Sequence, residues 1–404
     1  MAAAARSCSA HRIMPLANLR VLDLGNFLAG PVVSLHLRAM GADVIKVEKL
    51  AGDDARKVGP FARDGESSYF LSLNRGKKSI ALDLKSDSGK EILKKLCSET
   101  DVLIENFRPS VMERLGLSYE VLSAINPGLV YCSVSGFGQT GEHASRPAFD
   151  SLLQAAGGLI SATGSAKEGE PPVRVGCSVI DMASGLHATI AVLGAIYHRT
   201  LNGGKGQAVD TSMLATTAFL MESPISRHSI GGEAYLPQPE GLAHPAVAPF
   251  DGYKTADGLL YIATSNDSRA HMCLKALGIE ICDDFRTNTS RMANRDALKA
   301  RMEEKLKKKT TEAWEKKLIP LGVPCSAINS IADLKDKHPE VFVEVDHPSA
   351  GKSLQAGGPF AFSGCEVDYE SPSPLLGQHT DEILLSLGYT AERIAQLRDA
   401  SAIL

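Results

Sequence analysis

One carboxylate, Asp181, stands where the extended run 175–180 gives way to an apolar stretch reaching about residue 199. The stretch is rich in small residues, Ala183, Gly185, Ala188, Ala191, Gly194 and Ala195, which reads as a buried helix whose backbone approaches its neighbours closely. An acid at such a helix start meets unpaired amide N–H groups and the positive end of the dipole, so it is expected to stay ionised, as a nucleophilic carboxylate must. The same placement also describes a plain helix cap. Asp150, just ahead of the apolar run 152–160, admits the same two readings, cap or chemical partner.

The other nucleophile classes find no setting. No serine lies in a G-x-S-x-G turn, and no cysteine has an evident base beside it. His187 falls one turn into the apolar helix and reads as a core histidine, while His143 sits in a polar loop. Neither H-E-x-x-H nor C-x-x-C occurs, so no metal site is expected.

The elements that would position Asp181 follow a repeating pattern. Residues 19–24 read as a buried strand, Pro31 opens a helix to about Met40, and residues 43–48 read as a second strand. Further strands are expected at 79–84, 102–105 and 129–135, with an amphipathic helix at 88–98, and 207–214 reads as a strand running into a helix. Strands alternating with helices imply an α/β domain with a doubly wound, Rossmann-like parallel sheet, and ligands then sit beyond the carboxyl ends of the strands. Those ends are the loops starting at Gly25, Lys49, Asn106 and Gly136. The first turn, Gly25 to Gly30, lacks the dinucleotide fingerprint, and Gly206 after Lys205 breaks a Walker loop.

Lys49, Arg56, Lys77, Lys78, Lys85, Arg108 and Arg114 fall on or near these successive loops, with Asn106 and Phe107 among them. Singly each is ordinary surface. Together they suit a polyanion that carries an aromatic ring, cations for phosphates and Phe107 for stacking.

The 404 residues suit two domains. The expected division is 15–228 for the large domain, 229–335 for a smaller α+β domain with a hairpin around Ala256, Asp257 and Gly258, and 336–404 for a tail returning to the large domain. The run 305–309 is a solvated helix face. A net charge of −4 gives no footprint for nucleic acid. No apolar run is long enough to span a bilayer, so no membrane partner is expected. The 8 cysteines are scattered, which fits a reducing compartment. Residues 1–14, with Arg6, His11 and Arg12 and no acid, fit a mitochondrial transit segment, a cytoplasmic chain with an untargeted terminus being the alternative.

Several runs, in order, carry a resemblance. They are residues 20–24, 28–31, 41–48, 74–85, 105–109 and 135–141, then Asp181, 203–207, 322–324 and 375–381. With these the chain resembles the class III, formyl-CoA transferase-like (CaiB/BaiF) coenzyme A transferases from Pro15 onward. The resemblance implies interlocked homodimers, no permanently bound cofactor, and coenzyme A thioesters as substrates. It implies Asp181 as the nucleophile, Asp150 as its acidic helper, and coenzyme A contacts at Lys49, Leu82, Lys85, Asn106, Phe107 and Arg114. Lys49 stands where the family has arginine, keeping the charge without the bidentate fork. Leu28 replaces a glutamine, and the family's tetraglycine loop has no counterpart beyond Gly231 and Gly232. The related α-methylacyl-CoA racemases carry a histidine where this chain has Phe149, and phenylalanine moves no proton. Among the transferases the chain looks closest to those using succinyl-CoA and a short dicarboxylic acid such as glutarate or itaconate. Arg56 and Arg108 are the candidates for holding the acid's distal carboxylate.

Overall fold

A computed structural model describes residues 14–167 and 169–404. All but the last residue of the possible targeting segment 1–14 therefore lies outside the described residues. The chain divides into two compact units, Met1–Leu159 with Val175–Ile230 and Glu340–Leu404, and Ile160–Arg174 with Gly231–Pro339. The sequence division missed one excursion: Ile160–Arg174 joins the second unit, although its sequence neighbours on both sides belong to the first. No hydrophobic period marks those residues, so nothing in the sequence separates them from their neighbours.

The first unit is built on six parallel strands: β1 (Arg20–Asp23), β2 (Asp43–Glu48), β3 (Lys78–Ala81), β4 (Val102–Glu105), β5 (Val130–Ser135) and β6 (Ala208–Ser212). Their order is β3-β2-β1-β4-β5-β6, with every neighbouring pair parallel. This is the doubly wound order, whose direction reverses between β1 and β4. β4 and β5 are buried at every residue, as strands covered on both faces must be.

The helices follow as α1 (Ala29–Ala39), α2 (Ser68–Leu73), α3 (Asp87–Cys97), α4 (Val111–Arg114), α5 (Tyr119–Ile125), α6 (Asp150–Ala156), α7 (Val179–Leu201) and α8 (Met213–Leu220). One core layer joins Ile92, Leu93 and Leu96 of α3 to the sheet and to Ile383, Leu384, Ile394 and Leu397 of two C-terminal helices, Thr380–Ser386 and Ala391–Asp399. On the opposite layer, Val33 and Leu37 of α1 meet Ile180, Ala188 and Val192 of α7.

α7 corrects two expectations. At 23 residues it is longer than its apolar run suggested, and by length and composition alone it could cross a membrane. Nor is it buried all round: one face packs in the core, while Leu186, Ile190, Tyr197 and Leu201 are exposed on another. The small residues do not all mark the packed face, since Gly194 is itself exposed, so their number overstated its burial.

The second unit contains the expected hairpin, β7 (Phe250–Lys254) with β8 (Leu259–Ala263), joined antiparallel by β9 (Cys325–Ala327). Helices Arg295–Leu306 and Thr311–Leu318 supply Leu298, Met302, Leu306 and Trp314 to its core. The indole Nε1 of Trp314 donates 2.8 Å to the Leu306 carbonyl. A second hairpin, β10 (Phe342–His347) with β11 (Gly351–Ala356), belongs to the first unit.

Gly185 sets the α1–α7 approach. A Cβ there would lie 2.6 Å from Val32 Cγ1 and 2.9 Å from the Ala29 carbonyl oxygen. Gly185→Ala is therefore expected to lose about 2–3 kcal/mol through overpacking. Urea denaturation should show a lower midpoint with unchanged slope.

Candidate active site

Asp181 opens α7 at its third residue, one turn before Gly185. The packing of Gly185 against Val32 and the Ala29 carbonyl oxygen brings the start of α7 to the first turn of α1. That turn has no side-chain cap, and Pro31 contributes no N–H, so the amides of Ala29 and Gly30 are its spare donors. Together they border a cleft of about 300 Å³ lined by Asn26, Phe27, Leu28, Ala29, Asn106, Phe107, Arg108, Arg146, Phe149 and Asp181, among others.

The amide donors at the start of α7 do not go to Asp181. The buried Asp150 carboxylate takes them: its Oδ1 accepts from the backbone of Ile180 at 2.7 Å and of Asp181 at 3.2 Å. Gln154 Nε2 donates to the other Asp150 oxygen at 2.5 Å, and Gln154 Oε1 accepts from Val175 N–H at 2.9 Å. Asp150 is thus a cap for a helix other than its own. Among the described residues the Asp181 side chain accepts no hydrogen bond. Burial, with the Asp150 charge beside it, pushes the Asp181 carboxyl up to about 7. The expectation of a comfortably ionised Asp181 is corrected on that ground: the helix terminus already holds an anion.

The cleft gathers Asp181, Asn106, Phe107 and Arg108 of the expected site residues. Asn106 clamps the loop after β1, its Oδ1 accepting from Asn26 N–H at 2.7 Å and its Nδ2 donating to Asn26 O at 2.9 Å. Arg108 is exposed and has no carboxylate partner among the described residues. Lys49, Lys85 and Arg114 are exposed but do not line this cleft. Lys49 pairs with Asp54 at 2.8 Å, and Arg114 donates 2.7 Å to Ser110 Oγ. Leu82 is wholly buried in the core and its N–H donates 2.8 Å to the Glu48 carbonyl, so it presents no surface to a ligand.

Arg56 is a clear correction. Its guanidinium donates to both Glu48 oxygens, at 2.7 and 2.9 Å, and lies 3.5 Å from the Phe70 ring centre. It shapes the loop after β2 and does not reach the cleft as a free cation. The expectation failed because Glu48 lies on a strand that reads as purely structural.

Sequence reasoning missed three residues near Asp181. Arg146 lines the cleft, its guanidinium carbon 4.9 Å from the Phe137 ring centre. Phe27 lines it with a left-handed backbone, φ 58°. The Tyr69 phenol, packed by Leu28, Val32 and Leu73, is raised to about 12 by burial and by the Asp181, Asp53 and Asp150 charges. Arg146 alone left a trace, as a cation on the Gly136 strand-end loop.

The ordered runs find their counterpart in known proteins. The profile of CoA-transferase family III matches residues 16–380. The chain belongs to that family. It is a CoA-transferase, so its substrates are coenzyme A thioesters and acids. It is 36% identical over 378 residues to the mouse (Mus musculus) succinyl-CoA:glutarate CoA-transferase, covering 92% of this chain and 86% of that protein. It is 36% identical over 390 residues to the succinyl-CoA:mesaconate CoA-transferase of Haloarcula marismortui, covering 92% and 96%. The crystal structure of a CaiB/BaiF family protein from Brucella suis superposes with a TM-score of 0.82 at 35% identity, covering 93% of this chain and 99% of that one.

The raised pKa of Asp181 carries a stability prediction. Below about pH 4 the carboxyl holds its proton folded or unfolded, at no cost. Between about 4 and 7 the unfolded chain loses that proton and the folded chain keeps it, so stability falls as pH rises. Asp181→Asn removes this penalty. The variant should match the parent at pH 4 and exceed it by on the order of 1–2 kcal/mol at pH 8, discounted for the water that still reaches the group. Denaturant titrations at the two pH values measure the difference.

Proposed function

We propose that this enzyme moves coenzyme A from succinyl-CoA to a short dicarboxylic acid such as glutarate or itaconate, by covalent steps on Asp181. The observation that carries the reading is the Asp181 carboxylate at a cleft, without a hydrogen-bond donor among the described residues, beside a second carboxylate that already occupies the helix terminus. A carboxylate stripped of donors is a stronger nucleophile than a solvated one, and the cleft limits water.

In the first step an Asp181 oxygen attacks the thioester carbonyl, the C–S bond breaks, and a mixed anhydride forms with release of the coenzyme A thiolate. The thiolate attacks the Asp181 carbonyl, the donor acid leaves as a carboxylate, and an aspartyl-CoA thioester remains. The acceptor carboxylate then repeats the two steps in reverse order: it expels the thiolate to give a second anhydride, and the thiolate takes the acceptor acyl group. No proton is consumed overall. The Ala29 and Gly30 amides are the candidate donors for the oxyanion at each tetrahedral stage. The names of the mouse and Haloarcula marismortui relatives, both with succinyl-CoA as donor and a dicarboxylate as acceptor, support the substrate class.

The racemase alternative receives less support. Phe149 borders the cleft where a base would have to stand. A homodimer is also part of the proposal. The apolar stripe on α7, with Phe219 and Leu220 of α8 also exposed, supports a further protein surface against this unit. The basic, acid-free composition of residues 1–14 supports a mitochondrial location.

Incubation with succinyl-CoA and borohydride or hydroxylamine should place a modification on Asp181, located by peptide mass. Asp181→Ala should lose at least about 10³-fold in transfer rate. An Asn variant with intact turnover, or an adduct elsewhere, overturns the reading. Arg108→Ala should raise KM for dicarboxylates about 10-fold and leave monocarboxylates near their parental values. Equal effects on both acid classes remove Arg108 from acceptor recognition.

A further inference from the structure

The loop after β1 borders the cleft and enters α1, and its backbone is held from beneath by charges that the chemistry does not use. Asp23 Oδ1 accepts from Gly25 N–H at 2.8 Å. Lys46 Nζ donates to Gly25 O at 2.6 Å and forms a 2.9 Å ion pair with Asp53 Oδ2. Both partners of that pair are buried to within 1%. Asp53 Oδ1 accepts from Phe27 N–H at 3.2 Å and from Ala55 N–H at 2.9 Å. The Asp53 N–H in turn donates 3.0 Å to Glu48 Oε2.

Phe27 is where this matters. Its φ of 58° is left-handed, a conformation that costs a non-glycine residue on the order of 1–2 kcal/mol. An unrestrained Phe would relax to negative φ and redirect the chain one residue before Leu28, the N-cap of α1. Such strain persists only where the surroundings fix it. Asp53 is the one side chain that hydrogen-bonds the Phe27 backbone among the described residues, and it does not line the cleft.

We propose that Asp53 is a positioning residue for coenzyme A transfer: by holding Phe27 left-handed it aims the first turn of α1, with the Ala29 and Gly30 amides, at the atoms reacting on Asp181. The consequence for rate rests on the reading of Asp181 as nucleophile; the clamp on Phe27 does not. Asp53 acts through an acceptor oxygen, so asparagine should replace it for positioning though not for charge. That separates the clamp from the ion pair.

Two measurements test the assignment on the full chain. One is steady-state transfer from succinyl-CoA to glutarate. The other is the ¹⁹F spectrum of protein carrying fluorophenylalanine, the Phe27 line being assigned by its loss in Phe27→Leu. Asp53→Ala should lower kcat by about 10–100-fold per folded molecule with KM for the thioester within about 3-fold, and should shift or broaden the Phe27 line. Asp53→Asn should restore the line and most of kcat while lowering the melting temperature, because Lys46 loses its ion-pair partner. Where Asp53→Ala does not fold, Lys46→Met with Asp53→Ala leaves no unpaired charge and carries the same expectation. An unmoved Phe27 line, or equal loss of kcat in the Ala and Asn variants, overturns the proposal. The spectrum decides on the clamp even if glutarate is not an acceptor.

Discussion

A helix N-terminus can satisfy one anion, and two carboxylates meet at the start of α7. Asp150 takes the backbone donors of Ile180 and Asp181 and is further fixed by Gln154, so it pays for its burial with hydrogen bonds. Asp181, three residues into the same helix, accepts none among the described residues. Its charge is left with burial and a like neighbour, and both push its acidity constant the same way. The arrangement resembles the division of labour between paired carboxylates in other enzymes, where environments rather than residue types set the two roles. It is also a local sacrifice of stability at a cleft, which a well-packed α/β scaffold can carry.

The scaffold carries it through close approach and buried charge. Gly185 lets α1 and α7 meet without a Cβ between them. Under the sheet's carboxyl end, Asp23 lies with Ser34 and Lys77, wholly buried. Burial alone would raise Asp23, but the Lys77 and Lys46 ammonium groups hold it down to about 2. Glu48 binds Arg56, Ser79 Oγ and the Asp53 N–H at once. Every polar group of this network has a partner of opposite charge or a hydrogen bond, which such a network needs in order to stiffen a loop rather than weaken it. Rigidity of the β1 and β2 loops is therefore a property of residues that sequence patterns assign to strand ends.

Much of the frame was legible because strand and helix periods are local. Residues 43–48 and 102–105 could be read from their own hydrophobicity, and so could the turn into α1 at Pro31. Asp181 was legible as the lone acid entering an apolar helix. What failed was long-range. That Asp150 caps a helix 30 residues away, or that Arg56 forks onto Glu48, depends on folding the chain, not on spacing. The exposed stripe of α7 was hidden because Leu186 and Ile190 read as core in any apolar run. The excursion Ile160–Arg174 has no period to betray it.

The strand order also explains why a sheet of the dinucleotide type works here without the glycine fingerprint. In that type the first βα turn cradles a pyrophosphate on free backbone N–H groups. Here the N–H groups of Gly25, Asn26 and Phe27 point to Asp23, Asn106 and Asp53. Acidic or amide oxygens fill the place where a phosphate would accept, and Gly25 is needed because a Cβ would meet Asp23 Oδ1 and Pro31 Cδ, each at 2.9 Å. A pyrophosphate at Gly25, Asn26 and Phe27 would face oxygens rather than donors, and only the Ala29 and Gly30 amides beyond them are spare. On the proposed reading the carrier's phosphates lie elsewhere on the rim, and what reaches the turn beside Asp181 is an uncharged thioester, whose carbonyl oxygen gains negative charge only as its carbon is attacked.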